Sequence, residues 1–86
     1  MHQVITKEEK VAFFDKLFED NYTVLLRVAR LALPKEDIKV IDDIVQRTFR
    51  QAWENVDELL THHNPNAWLI HAVKSSIAAF SQDEKK

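Results

Sequence analysis

The sequence predicts an all-α fold, a small domain of three helices, and three observations predict it. Glycine is absent and proline occurs twice, so the chain has helices joined by short connections and no glycine-dependent turns. Apolar residues recur at three- and four-residue spacing through most of the length. The periodic segments are punctuated by capping patterns and by the prolines.

The first helix is expected over about residues 7–33. Thr6 and Glu9 form a capping-box pattern just ahead of it. Val11, Phe14, Phe18, Tyr22, Leu25, Ala29 and Ala32 then make one apolar stripe. A second set lies beside it: Phe13, Leu17, Val24, Val28 and Leu31. Together they span an arc of roughly 200°, wider than one packing partner covers. Two helices can cover it from two sides; if part of it is exposed, Phe13, Val24 and Leu31 are the candidate surface for a partner or a homo-oligomer. Pro34 ends the helix, because the residue before a proline disfavours the α conformation.

The second helix is expected over about 36–60. Glu36 and Asp37 suit the positive end of its dipole. Its core stripe reads Ile38, Ile41, Val45, Phe49, Ala52, Val56 and Leu59, with Thr48 on the same face. Val40 and Ile44 sit off the stripe and need another neighbour. The opposite face carries Asp43, Gln46, Arg47, Arg50 and Glu54. Such a face is either a binding surface or a solvated one in which Arg47 and Arg50 pair with Asp43 and Glu54 one turn away.

Thr61–Asn64 forms a loop. Asn64 is a good N-cap and Pro65 a good first residue for the third helix, expected over about 65–80. Trp68, Leu69, Ala72, Val73, Ser76, Ile77 and Phe80 point inward, and 81–86 is a polar tail.

At 86 residues the chain suffices for one domain and not for two. An apolar fraction of 45% is too rich for a disordered protein. No run approaches the roughly 18 apolar residues of a membrane span. There is no secretory core at the N-terminus and no cysteine, which fits a cytoplasmic, reducing setting. The net charge of −2 is spread thinly, and no segment is a basic patch of the kind dedicated nucleic-acid binders carry.

Catalysis and metal binding find little support. His62 and His63 are adjacent on a loop and cannot easily converge on one ion, so no metal and no cofactor is expected. Asp42 and Asp43 point about 100° apart on a helix and form no carboxylate dyad. A binding module, not an enzyme, is the expectation. Most aromatics read as core; Trp53 and Trp68 flank the loop and are candidates for partial exposure.

Three blocks of this chain carry a resemblance. FDKLFEDNYTVLLRVARLAL (14–33) looks like the opening helix of region two of bacterial RNA polymerase sigma factors of the extracytoplasmic-function group. DDIVQRTFRQAWENVDEL (42–59) is similar to that family's D-L-V-Q-E-T-F-x-x-A-W helix. NPNAWLIHAVKSS (64–76) looks like its N-P-x-A-W-L-x-x-I-A-R-N helix. In register, they cover about residues 10–80, so residues 1–86 read as a single sigma region-two-like domain.

The resemblance implies that the second helix docks on the clamp helices of the largest catalytic subunit of RNA polymerase. The matching positions are Asp43, Gln46, Arg47 and Arg50, with Arg47 standing where the family usually has an acid. It also implies that the third helix and its loop read the promoter's minus-ten element, here through Trp68, His71, Lys74 and Ser75. That match decays: the family's R-N-x-x-x-D-x-x-R run falls on Lys74, Ser75, Ala79 and Gln82, and Asp83 and Glu84 add negative charge. The family's second promoter-binding domain, region four, is not in this sequence. The function expected is therefore a polymerase-binding module of transcription initiation with weak DNA contact. Two alternatives stand beside it. One is a sigma-like accessory or decoy that binds polymerase or a second sigma subunit without reading DNA. The other is a self-associating helical protein without DNA recognition. An anti-sigma protein is a further candidate partner of the domain.

Overall fold

The computed structural model describes residues 5–84, which form four α-helices and no strand among those residues: α1 (Lys7–Ala32), α2 (Ile38–Glu54), α3 (Val56–Leu60) and α4 (Pro65–Glu84). The all-α expectation holds, with one helix more than the periodicity predicts. Residues 85 and 86 of the expected tail lie outside the described residues, as do the side chains of Asp83 and Glu84.

Local chemistry sets the helix starts. The Thr6 hydroxyl accepts the Glu9 amide at 3.1 Å, and the Glu9 carboxylate accepts the Thr6 amide at 3.1 Å, so the expected capping box is closed. Those hydrogen bonds, backbone first, hold the Glu9 carboxyl below the usual glutamate range. At α2 the cap is Asp37, which accepts from the Val40 amide at 3.1 Å, so the helix starts two residues later than expected. Asn64 caps α4 through its side chain to the Ala67 amide at 3.2 Å. The His62 ring Nδ1 accepts the Asn64 amide at 2.9 Å and so orders the preceding loop.

The expected helix over 36–60 is broken at Asn55, with φ −113° and ψ 23°. The Gln51 carbonyl accepts both the Asn55 side-chain amide at 2.8 Å and the Asn55 main-chain amide at 3.0 Å, so Asn55 closes the last turn of α2 as its C-cap. The break is one residue long, because the Leu59 amide already returns to the Asn55 carbonyl at 3.0 Å. At the other end, four residues of the expected polar tail, 81–84, are helical and belong to α4. No described residue has a positive φ.

Helices α1, α2 and α4 pack against one another in all three pairs. Contacts between α1 and α2 run in opposite senses along the two chains. Phe14 meets Trp53 with ring centroids at 5.4 Å, Phe18 meets Phe49 at 4.6 Å, and the Tyr22 hydroxyl donates to Asp42. The pair is therefore antiparallel. The core comprises Leu17, Leu25 and Ala29 of α1, Ile41, Ile44, Val45, Phe49 and Ala52 of α2, Leu59 of α3, and Leu69, Val73 and Ile77 of α4.

Several stripe assignments shift once three helices share the core. Ile38 is 54% exposed, because it sits at the free start of α2, and Val11 is also exposed. Ile44 is buried instead. It lies one turn before Thr48, whose hydroxyl reaches Ser76 of α4 at 3.4 Å, so α4 supplies the second neighbour its position needed.

One buried residue breaks the apolar pattern. Asn21 is 4% exposed and spends both amide protons, one on the Leu17 carbonyl and one on Asn66 Oδ1, each at 2.9 Å. It is the polar tie between α1 and the first turn of α4, and no described buried side-chain N or O lacks a partner. Asn21→Ala removes both bonds and leaves a void, and is expected to cost about 1–3 kcal/mol. Asn66→Ala, which removes one bond, is expected to cost less than that. Urea denaturation of the two variants checks the order; equal stability of Asn21→Ala and the parent would refute the tie.

Candidate protein-docking face and groove

Burial of one face of α2 forces the opposite face outward. Asp43, Gln46, Arg47 and Arg50 are all exposed, at positions separated by three, one and three residues, so they share a side of the helix. The ion pairing open to them is sparse. Arg47 and Asp43 approach only to 4.0 Å, with side chains 66% and 77% exposed, a geometry worth a few tenths of a kcal/mol at most. Arg50 forms no ion pair among the described residues. The face is thus not internally neutralised, and its donors and acceptors are available.

The edge of this face is more apolar than the sequence suggests. A shallow groove of about 280 Å³ is lined by Phe14 and Phe18 of α1 with Gln46, Phe49, Arg50 and Trp53 of α2. Two of the four expected docking residues, Gln46 and Arg50, form its polar rim. Trp53 is 38% exposed, with one edge against Phe14. Phe14, Phe18 and Trp53 read from spacing as core or loop-flanking aromatics, so sequence reasoning missed them as site residues. The missing signal is three-dimensional: the groove is formed by side chains of two helices together, and neither helix alone marks it. Apolar anchors rimmed by polar groups are the arrangement in which interface binding energy concentrates.

The residues expected to touch DNA lie on α4 and its loop. Trp68 and His71 line a groove of about 490 Å³ with His62, Ala67 and Ala72. Lys74 and Ser75 are exposed one turn beyond it and are not part of its wall. The Trp68 indole is half-buried and its N–H donates to Glu58 of α3 at 3.2 Å, so the ring is pinned across the loop. Lys74 is the only Lys or Arg in the whole of α4. This surface offers an aromatic wall and one cation, and a backbone-tracking strand normally requires several. Among the described residues no three His, Asp or Glu side chains come together as a metal site.

The expected self-association set is split. Phe13 is half-buried and packs against the core, so it does not belong to an exposed stripe. Val24 and Leu31 are 43% and 77% exposed and do remain on the surface.

Across the α1–α2 junction the Tyr22 phenol donates to the Asp42 carboxylate. That hydrogen bond first, then burial and the charge of Asp42, hold the phenol above the usual tyrosine range. No helix among the described residues is long and apolar enough to cross a membrane. No family model, no curated protein and no solved structure matches this chain.

Because the folded pKa of Tyr22 is raised, its contribution to stability is complete below the ordinary tyrosine pKa of about 10 and is lost as pH rises through the folded value. Tyr22 is the only tyrosine, so phenolate absorbance reports it alone. Its titration is expected to lie higher in the folded chain than in urea. A titration at the same pH in both states would remove the Tyr22–Asp42 tie.

Proposed function

We propose that this chain is a binding module of transcription initiation, similar to sigma-factor region two, that docks on the clamp helices of RNA polymerase through α2. One observation carries the reading. Asp43, Gln46, Arg47 and Arg50, the positions that match the docking helix of the family, form one solvent-facing side of α2 with scant internal pairing and an aromatic groove at their edge. A merely solvated face needs neither the groove nor the unpaired Arg50. The order of the three blocks along the chain supports the same reading.

On this reading the groove supplies the apolar anchor. A side chain from the clamp seats between Phe14, Phe18 and Trp53, while Gln46 and Arg50 fix orientation by hydrogen bonds. Asp43 and Arg47 sit farther along the face and steer charge. The module carries out no chemistry of its own, and it belongs in the cytoplasm, where the polymerase is.

A second reading keeps polymerase binding and drops promoter recognition: a sigma-like accessory or decoy. The observation that favours it is the single cation of α4 together with the pinned indole of Trp68. Trp68, His71, Lys74 and Ser75 would then be a vestigial DNA surface.

Pull-down and titration with a purified clamp-helix fragment test the first reading. Asp43→Ala, Gln46→Ala and Arg50→Ala combined are expected to weaken binding at least tenfold, about 1.4 kcal/mol. Absence of binding by the parent chain, or indifference to the triple change, sinks it. Single-stranded minus-ten oligonucleotides separate the two readings. Each phosphate contact contributes about −0.7 to the slope of log affinity against log salt. A module with Lys74 as its only phosphate contact is expected to show a slope no steeper than about −1, and a steeper slope would restore promoter binding to α4.

A further inference from the structure

We infer that the corner between the C-terminal half of α1 and the first turns of α2 docks an acidic amphipathic segment of a partner protein. The corner lies at the far end of the antiparallel α1–α2 pair from the Trp53 groove, so it stands independently of the polymerase reading.

Two shallow grooves meet there. One, of about 370 Å³, is lined by Thr23, Leu26, Arg27, Arg30 and Leu31. The other, of about 350 Å³, is lined by Tyr22, Leu26, Ile38, Lys39 and Asp42. Leu26 is common to both and forms the ridge between them. The apolar content is high for a free surface: Leu31 is 77% exposed and Ile38 is 54% exposed. Each is large and lines one of the two grooves, and exposed apolar side chains beside adjoining grooves suit an interaction site.

Charge identifies the occupant. The cations in the walls of the two grooves are Arg27, Arg30 and Lys39; Glu36 and Asp37 lie in the connection beside them but line neither groove, and Asp37 is turned to the Val40 amide as the cap of α2. None of Arg27, Arg30 and Lys39 makes an ion pair among the described residues, whereas Lys10 pairs with Asp57 at 2.8 Å and Lys16 with Asp20 at 3.6 Å. The single carboxylate in the lining, Asp42, already accepts the Tyr22 proton. The groove walls are therefore apolar, with three cations to one carboxylate at their rims, on a chain whose net charge is −2. A segment with apolar residues at three- and four-residue spacing and acidic residues between them fits both properties: its apolar side chains enter the two grooves on either side of Leu26, and its carboxylates meet the rim. A lipid surface fits less well. Anionic bilayers are recognised by cation clusters on a convex face, whereas the cations here stand around two concave grooves.

The test uses the full chain and a labelled synthetic helix with leucines at i, i+4 and i+7 and glutamates elsewhere on its flanks, read by fluorescence anisotropy. A matched peptide with lysine for every glutamate is the charge control. The glutamate peptide is expected to bind. Arg27→Glu with Arg30→Glu, and separately Leu31→Ser with Ile38→Ser, are each expected to weaken it at least tenfold. All four side chains are exposed, so an unchanged thermal melt certifies the fold of both variants. Equal affinity for the lysine peptide, or affinity unmoved in both variants, overturns the proposal. So does binding to vesicles of phosphatidylcholine and phosphatidylglycerol that is lost in the same variants while the peptide does not bind. Dimerisation of the parent chain in ultracentrifugation that vanishes with Leu31→Ser and Ile38→Ser, again without peptide binding, assigns the corner to a second copy and overturns it as well.

Discussion

Phe49 is 2% exposed, and it is the point at which α2 is clamped to α1. Its ring lies 4.6 Å from Phe18, 6.3 Å from Phe14 and 6.4 Å from Tyr22. Aromatic pairs of this kind add about 0.5–1.5 kcal/mol each beyond the area they bury. The rotation of α2 about its axis follows from this clamp. With Phe49, Val45 and Ile41 turned in toward α1, Ile44 and Thr48 necessarily meet α4, and Asp43, Gln46, Arg47 and Arg50 are left facing solvent. The candidate docking face is thus a geometric remainder of the core. A substitution that rotated α2 by one residue position, about 100°, would bury a charge and expose a phenylalanine.

The polar ties around this clamp each join elements that the apolar core alone would leave free to slide. Asn21 and Asn66 fix α4 along α1. Tyr22 and Asp42 fix the opposite flank of α1 on α2. Lys10 and Asp57, largely solvated on the Asp57 side, add a weaker link from α1 to α3. Apolar packing is nearly indifferent to small translations, and directional hydrogen bonds are not. The core supplies most of the cohesion, and these few contacts choose its register.

What the sequence makes legible is what is local. The Thr6–Glu9 box, the Asn64 cap and the stop at Pro34 each depend on residues within four positions of one another, and all three stand where spacing puts them. The polar face of α2 is legible for the same reason, since a helix fixes the mutual placement of its own side chains. The Asn21–Asn66 tie spans forty-five positions, and an asparagine within an apolar stripe carries no mark of its partner. The break at Asn55 falls within an unbroken apolar periodicity, Ala52, Val56 and Leu59, and is marked only by a side-chain amide folding back on the Gln51 carbonyl, which periodicity does not register. The aromatic groove beside Trp53 is lined by residues of α1 and α2 together, which no single helix encodes. Phe13 went to the core because α1 is covered on two flanks, and Ile38 went to solvent because the covering helix begins there.

The absence of left-handed backbone among the described residues has a consequence for how this fold withstands change. Many helical domains close their helices with glycines that few other residues can replace without strain. Here the connections at 33–37 and 61–64 use backbone conformations open to any residue, and their form is written in side-chain oxygens and one imidazole nitrogen: Asp37, Asn64 and His62. Lineages of this sequence can therefore exchange nearly every turn residue, so long as a short acceptor persists at each cap. The turns are the part of the molecule best suited to neutral drift, and the buried face of α2 the part least suited to it.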